Sequence, residues 1–277
     1  MTLLTVGREN GSDIELSFED HGRGPAVLLV HGFPFTSQSW EHQEDALLDA
    51  GYRVVTYDRR GFGRSGRPAT GYDIDTLAAD LNLLIEYLDL VDLRIVGFGL
   101  GTGEVARYLH RYGSARVRSV AFVAALPPFL LRAPDNPEGL DATVFDAMRA
   151  FLREDRYAYL EEFLTNVYNA DVHGGDRISD QAWNASFVMA IAASPRATLG
   201  CVDVMCTDLR SDLASVDVPT LIVHGADDRI HPFDATAARL AELITDARLV
   251  TVEDGPHAVN WTHAAEVNEA LLRFFQE

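Results

Sequence analysis

At 277 residues and 47 % hydrophobic content the chain is long enough to bury a full core, as one large α/β domain with an insertion or as two small domains. Its 42 acidic side chains outnumber 23 bases, every base is an arginine, and the formal charge is -19. Such a surface repels phosphate backbones and anionic lipid, which argues against nucleic acid or membrane partners and favours solubility.

Two alternating segments, Leu3 to Val6 and Ile14 to Glu19, predict a hairpin joined by Asn10-Gly11-Ser12. The continuous apolar run from Ala26 to His31 predicts a strand buried on both faces of a parallel sheet, ending in the turn His31-Gly32-Phe33-Pro34. A helix is expected from about Trp40 to Asp49, a strand over Arg53 to Tyr57, a helix from Ile74 to Leu88 and a strand over Leu93 to Phe98. A helical pattern then runs from Glu104 to Tyr112, followed by a buried strand from Val117 to Ala124. This alternation predicts a doubly wound, mostly parallel sheet of the α/β class.

From about Phe129 to Leu213 no buried β-branched run occurs, and helices are expected at Ala142 to Arg153, Tyr157 to Tyr168, Asp180 to Ala192 and Ala197 to Thr207. An all-helical insertion between two sheet strands is most simply a lid. The sheet pattern resumes at Pro219 to Gly225, followed by a helix from Asp234 to Ile244, a strand over Arg248 to Val252 and a last helix from Thr262 to Phe275. The predicted division is therefore a core of residues 1–128 and 214–277, with a helical lid over 129–213.

The stretch Ile95 to Arg107 reads as strand, tight turn and helix around glycines 97, 99, 101 and 103. A dinucleotide fingerprint is not matched, because position 102 is threonine, and a phosphate-binding loop would need a lysine that the chain lacks. In the G-x-S-x-G nucleophile elbow the serine lies on a strained strand-to-helix turn between small residues. Here Gly97 and Gly101 hold the flanking places and Gly99 holds that of the serine. A turn that needs glycine for steric reasons alone is the plainer alternative. The acidic pair Asp227/Asp228 and His257 also follow predicted strands, and elbow, acid, histidine is the chain order of an α/β-hydrolase triad.

With these segments in place the chain resembles the cofactor-free (non-haem) chloroperoxidase, esterase and perhydrolase branch of the α/β-hydrolases. The resemblance spans nearly the whole length and is carried by HGFPFTSQSW, AGYRVVTYDRRGFGRS, GTGEVARYL, LPPFLL with DNPEG, LRSDL and GPHAVNWTH. It implies the α/β-hydrolase fold, His257 as general base, Asp228 as its orienting acid in preference to Asp227, and an oxyanion hole from the backbone N–H groups of Phe33 and Leu100. In that family the elbow reads GFSMG, so Gly99 and Leu100 replace serine and methionine. A histidine titrates near neutrality, a carboxylate fixes its tautomer, and paired N–H groups stabilise a developing oxyanion.

Glycine offers no oxygen to acylate, and Thr102 is expected to face elsewhere from one helical turn on. Three readings follow. The first is acid/base chemistry by His257 and Asp228 without a covalent intermediate, whether lyase, isomerase, cyclase, decarboxylase or water-mediated hydrolysis. The second is a serine esterase or perhydrolase with its nucleophile removed, and the third is a binding protein that keeps the pocket. The apolar and aromatic content of the insertion points to a small apolar or aromatic substrate. His31, Phe98, Phe129, Trp183, Phe187 and His231 are the candidate pocket residues, and His231 stands where the family more often has an apolar residue.

No cofactor or metal is expected. Cys201 and Cys206 read as reduced core thiols of an intracellular protein, and no segment approaches the length of a membrane span. A cytoplasmic, bacterial enzyme with a small-molecule substrate is the expectation, with a dimer the commonest form of assembly should it oligomerise.

Overall fold

In the computed structural model, which describes residues 2–277, the N-terminal hairpin is longer than its alternating core. Strands β1 (Thr2–Glu9) and β2 (Ser12–His21) flank a turn at Asn10 and Gly11. Strand β3 (Ala26–Val30), helix α1 (Glu41–Asp49), strand β4 (Arg53–Tyr57), helix α2 (Ile74–Tyr87) and strand β5 (Leu93–Phe98) follow. Helix α3 (Leu100–Tyr112) and strand β6 (Val117–Val123) complete the first part of the core. The sheet order among the described residues is β1-β2-β4-β3-β5-β6, then β7 (Thr220–Gly225) and β8 (Arg248–Val252). β1 and β2 run antiparallel, and the six central and distal strands pair in parallel.

Period-two geometry explains why β3 reads as an unbroken apolar run. Val27 and Leu29 enter the core on one face of the sheet, and Ala26, Leu28 and Val30 enter the core on the other. Both faces are covered, so neither set is free to be polar.

Between β6 and β7 the chain is helical: α4 (Ala142–Glu154), α5 (Arg156–Tyr168), the single turn α6 (Ala170–His173), α7 (Asp180–Ile191) and α8 (Pro195–Met205). Asp155 ends α4 and caps α5, its side chain accepting from the N–H groups of Tyr157 and Ala158 at 3.0 Å each. This insertion packs over the carboxyl ends of the central strands. The Phe33 and Phe163 rings meet edge-on at 5.2 Å, and Ala258 N–H donates to the Val167 carbonyl at 3.0 Å.

One predicted helix is divided: the stretch 234–244 becomes a 3₁₀ turn and α9 (Ala237–Leu243), because Thr236 leaves helical geometry at φ -127°, ψ -82°. The last predicted helix stands as α11 (Ala264–Phe275), which His263, at φ -126°, ψ 40°, separates from a preceding single turn, α10 (Val259–Thr262). Helix α3 also begins four residues earlier than its side-chain periodicity suggested. Its glycines mark close approach to a strand rather than a loop, since a Cβ on Gly101 would lie 2.4 Å from the Val30 carbonyl oxygen. No single helix among the described residues is long and apolar enough to cross a membrane.

Candidate active site

Gly99 joins β5 to α3 with φ 52° and ψ -120°, left-handed backbone that glycine adopts freely and an L side chain does not. Its N–H donates to the Val123 carbonyl at 2.9 Å, which ties the turn to the end of β6. A Cβ built on this backbone would stand 2.9 Å from His257 Nε2. The imidazole therefore lies directly over residue 99, closer than a side chain there would ordinarily allow.

His257 Nδ1–H donates to Asp228 Oδ2 at 2.8 Å, leaving Nε2 as the basic nitrogen facing Gly99. Asp228 Oδ1 accepts from the backbone N–H groups of Ile230 and His231, both at 2.8 Å, and His224 Nε2 stands 3.2 Å from Oδ2. Burial pushes this carboxyl upward in pKa, but His257 and the donors around it outweigh that and hold it well below the usual carboxylate range. Asp228 is thus a permanently ionised acceptor. Asp227 is exposed and is held through its backbone, its N–H donating to the Gly255 carbonyl at 3.0 Å and its carbonyl accepting from Asn169 Nδ2 at 2.9 Å. Of the two acids, Asp228 alone meets the histidine.

The N–H groups of Phe33 and Leu100 are not engaged by other groups of the described chain. Leu100 is the first residue of α3, so its N–H has no intrahelical acceptor. Beneath the Phe33 loop lies a buried polar network that sequence reading missed. His31 Nδ1–H donates to the Gly32 carbonyl at 2.8 Å, and its Nε2 accepts from Arg59 N–H at 3.0 Å. The Arg59 guanidinium donates to the His31 carbonyl at 2.7 Å and to Glu104 Oε2 at 2.7 Å, while Tyr57 O–H donates to Glu104 Oε1. Burial, with the Arg59 charge beside it, holds His31 neutral by lowering its pKa well below the ordinary value. Arg59 just after β4 and Glu104 on the apolar first turns of α3 were the available clue, since charged residues are buried only when paired.

The six pocket candidates separate in space. Phe98 lies beside His257 at 5.1 Å between ring centroids, and His231 meets the same imidazole edge-on at 4.6 Å. His231 Nδ1–H donates to the Ala124 carbonyl at 3.0 Å, and its Nε2 is buried without a partner. Burial, followed by the nearby His257, lowers its pKa to about 3. His31 belongs to the network under the loop rather than to a pocket lining, because both ring nitrogens are spent on backbone groups. Phe129 is half-buried at the edge of the insertion with the Arg210 guanidinium 4.9 Å above its ring. Trp183 and Phe187 stack on each other at 5.6 Å along α7, partly exposed. Thr102, expected to face elsewhere, turns back instead: its hydroxyl donates to the Gly99 carbonyl at 2.6 Å. Cys201 is buried and Cys206 half-buried, both as free thiols.

The dyad is shut off from solvent, with His257 2 % exposed and Asp228 6 %. A cavity of about 630 Å³ runs along the neighbouring seam, lined by Thr36, Gln38, Asp58 and Arg64 on one side and by Val188 and Met189 of α7 on the other. The seam is tied by Thr36 N–H, which donates to Met189 Sδ at 3.3 Å.

Against known proteins, a family model described as alpha/beta hydrolase fold matches residues 25–264. A putative non-heme chloroperoxidase of Synechocystis sp. is 51 % identical over 276 residues, covering 100 % of both chains. Among solved structures, a bromoperoxidase from Bacillus anthracis superposes with a TM-score of 0.95 at 41 % identity, over 100 % of this chain and 99 % of that one. An esterase from Exiguobacterium antarcticum superposes with a TM-score of 0.90 at 28 % identity, over 96 % of this chain and 97 % of that one.

Proposed function

The chain belongs to the alpha/beta hydrolase fold family, in its branch of non-heme chloroperoxidases and esterases, and on that premise we propose that it acts on a small apolar carbonyl or ester compound without forming an acyl-enzyme. The observation that carries this reading is the position of His257 Nε2, 2.9 Å from where the β-carbon of residue 99 would stand. A serine esterase needs room for both a β-carbon and an oxygen between that backbone and the base. In this chain the imidazole lies over the glycine at a distance that leaves no side chain between them, which supports a site whose base works without a nucleophile at residue 99.

His257 is the general base and Asp228 its partner. In the hydrolytic form, Nε2 takes a proton from water as the water oxygen bonds to the substrate carbonyl carbon. The carbonyl electron pair moves onto oxygen, where the Phe33 and Leu100 N–H groups hold the negative charge. Asp228 stabilises the imidazolium formed. When the carbonyl re-forms, the C–O bond to the leaving alcohol breaks and that oxygen takes the proton from Nε2. The same groups suit a lyase or isomerase step, in which Nε2 removes a proton from the carbon next to the carbonyl and the N–H pair holds the enolate.

The test is hydrolysis of p-nitrophenyl acetate by the unmodified protein and by His257→Ala, with intact-protein mass spectrometry during turnover. Slow hydrolysis that depends on His257 and leaves no acetyl adduct is expected. An adduct during turnover, or unchanged turnover in the alanine variant, refutes the proposal. A catalytically silent binding protein would show neither hydrolysis nor adduct with any ester tried.

A further inference from the structure

Two peptide units carry the candidate oxyanion donors: Gly32–Phe33 and Gly99–Leu100. Both are trans, so in each the carbonyl and the N–H point in opposite directions. Whatever grips the carbonyl therefore aims the N–H. The Gly32 carbonyl is gripped twice, by His31 Nδ1–H at 2.8 Å and by Phe35 N–H at 3.1 Å. The Gly99 carbonyl is also gripped twice, but by a single residue: Thr102 N–H at 3.0 Å and Thr102 Oγ1–H at 2.6 Å.

We infer that Thr102 is a positioning residue, which by holding the Gly99 carbonyl directs the Leu100 N–H toward the oxygen of the reacting carbonyl. The inference rests on the reading of Phe33 and Leu100 as oxyanion donors. Threonine hydroxyls in helices often bond to a carbonyl one turn back with no further purpose. Three features separate this case from that habit. The carbonyl belongs to the peptide that carries the Leu100 N–H, one of the two candidate oxyanion donors and one with no partner among the described residues. Residue 99 is glycine, so no β-carbon limits rotation about its backbone bonds, and the tilt of the following peptide is left to hydrogen bonding. Finally, Thr102 Oγ1 is committed in both directions, because it also accepts from Leu126 N–H at 2.8 Å, and the residue is fully buried. That second bond ties the elbow to the segment leading from β6 into the helical insertion. A displacement of the insertion at Leu126 is thus passed through one hydroxyl to one oxyanion donor.

The experiment compares Thr102→Val, which keeps the shape and loses the hydroxyl, with Thr102→Ser, which keeps the hydroxyl. Acetate is titrated as an oxyanion probe, and the amide resonances of Phe33 and Leu100 are followed by ¹H–¹⁵N NMR. In the unmodified protein both amides shift. In Thr102→Val the Phe33 response persists while that of Leu100 falls at least by about half, and Thr102→Ser responds like the parent. In a Gly99→Ser background, Thr102→Val lowers kcat for p-nitrophenyl acetate about 10-fold, with KM within about 2-fold, a fraction of what losing a whole oxyanion donor costs. Equal Leu100 responses in the valine variant and the parent overturn the role of Thr102 and leave the oxyanion reading intact. A serine variant as impaired as the valine variant does the same. Should neither amide respond in the parent, the oxyanion reading fails and the inference falls with it. If Thr102→Val does not fold, Thr102→Ala gives the same comparison with space for water to reach Leu126 N–H.

Discussion

Adding one side chain at residue 99 tests the site most directly. Gly99→Ser places a substituted carbon on backbone at φ 52°, ψ -120°, which costs about 1–3 kcal/mol in strain. Its Cβ also starts 2.9 Å from His257 Nε2, against an ordinary carbon contact of about 3.5 Å, so the imidazole must withdraw by roughly half an ångström. That movement stretches or redirects the 2.8 Å bond to Asp228. At about 2–4 °C per kcal/mol for a chain of this size, melting should fall by about 2–12 °C in calorimetry. Gly99→Ala should lose the same stability. Mixed with p-nitrophenyl acetate, the serine variant should gain the mass of one acetyl group and the alanine variant should not. An unchanged melting temperature would show that His257 does not crowd residue 99. A folded serine variant that never acetylates would show that the displaced imidazole no longer lines up with residue 99, which is the behaviour of a site adapted to glycine and counts against a serine site that has only lost its oxygen.

Asp228→Asn should lower turnover by on the order of 10³- to 10⁴-fold with little change in KM, because an amide cannot stabilise the imidazolium; a loss under 10-fold in steady-state kinetics would contradict this. Acid should destabilise the fold well before carboxylates titrate. His231, with its pKa lowered to about 3, and His31, lowered well below its ordinary value, stay neutral when folded, whereas the unfolded chain protonates both as pH falls below about 6.5. Stability is therefore full above that pH and is lost toward pH 4 at up to about 1.4 kcal/mol per pH unit per histidine, and His231→Val should make the urea midpoint measurably less sensitive between pH 6.5 and 4. Glu104→Gln should cost about 3–5 kcal/mol in chemical denaturation, since it leaves the fully buried Arg59 guanidinium without its carboxylate; a change under 1 kcal/mol would mean the pair is not isolated from water.

Much of the fold was legible because its determinants are local. Strands β4, β5 and β8 fall on the predicted residues, since a run such as Arg53 to Tyr57 carries its own β-branched pattern wherever it is placed. The start of α3 was not legible, because glycines at 101 and 103 argue against helix by propensity, and only the tertiary packing explains them: a Cβ on Gly101 would lie 2.4 Å from the Val30 carbonyl oxygen, and one on Gly103 3.0 Å from the Leu126 and Leu209 side chains. Phe129, Trp183 and Phe187 could be assigned to a pocket on apolar character alone, yet Phe129 meets the Arg210 guanidinium, and Trp183 and Phe187 stack on each other and pack against the core. Amphipathic patterning tells which side chains leave water, and does not tell which surface they meet.

By itself the sequence determined the parallel sheet, the helical insertion, the glycine at the elbow, and the order of elbow, acid and histidine along the chain. Each is a matter of periodicity, turn chemistry or succession, readable within a window of a few residues. Tertiary structure alone decided that His31 lies under the Phe33 loop and that Thr102 grips the carbonyl of Gly99 while receiving Leu126, and it supplied the 2.8 Å bond behind the preference for Asp228 that the sequence had only by resemblance. Those bonds depend on how neighbouring strands align. His257 and Asp228 are 29 residues apart, and only the register of β7 against β8 brings the two loops within 2.8 Å of each other.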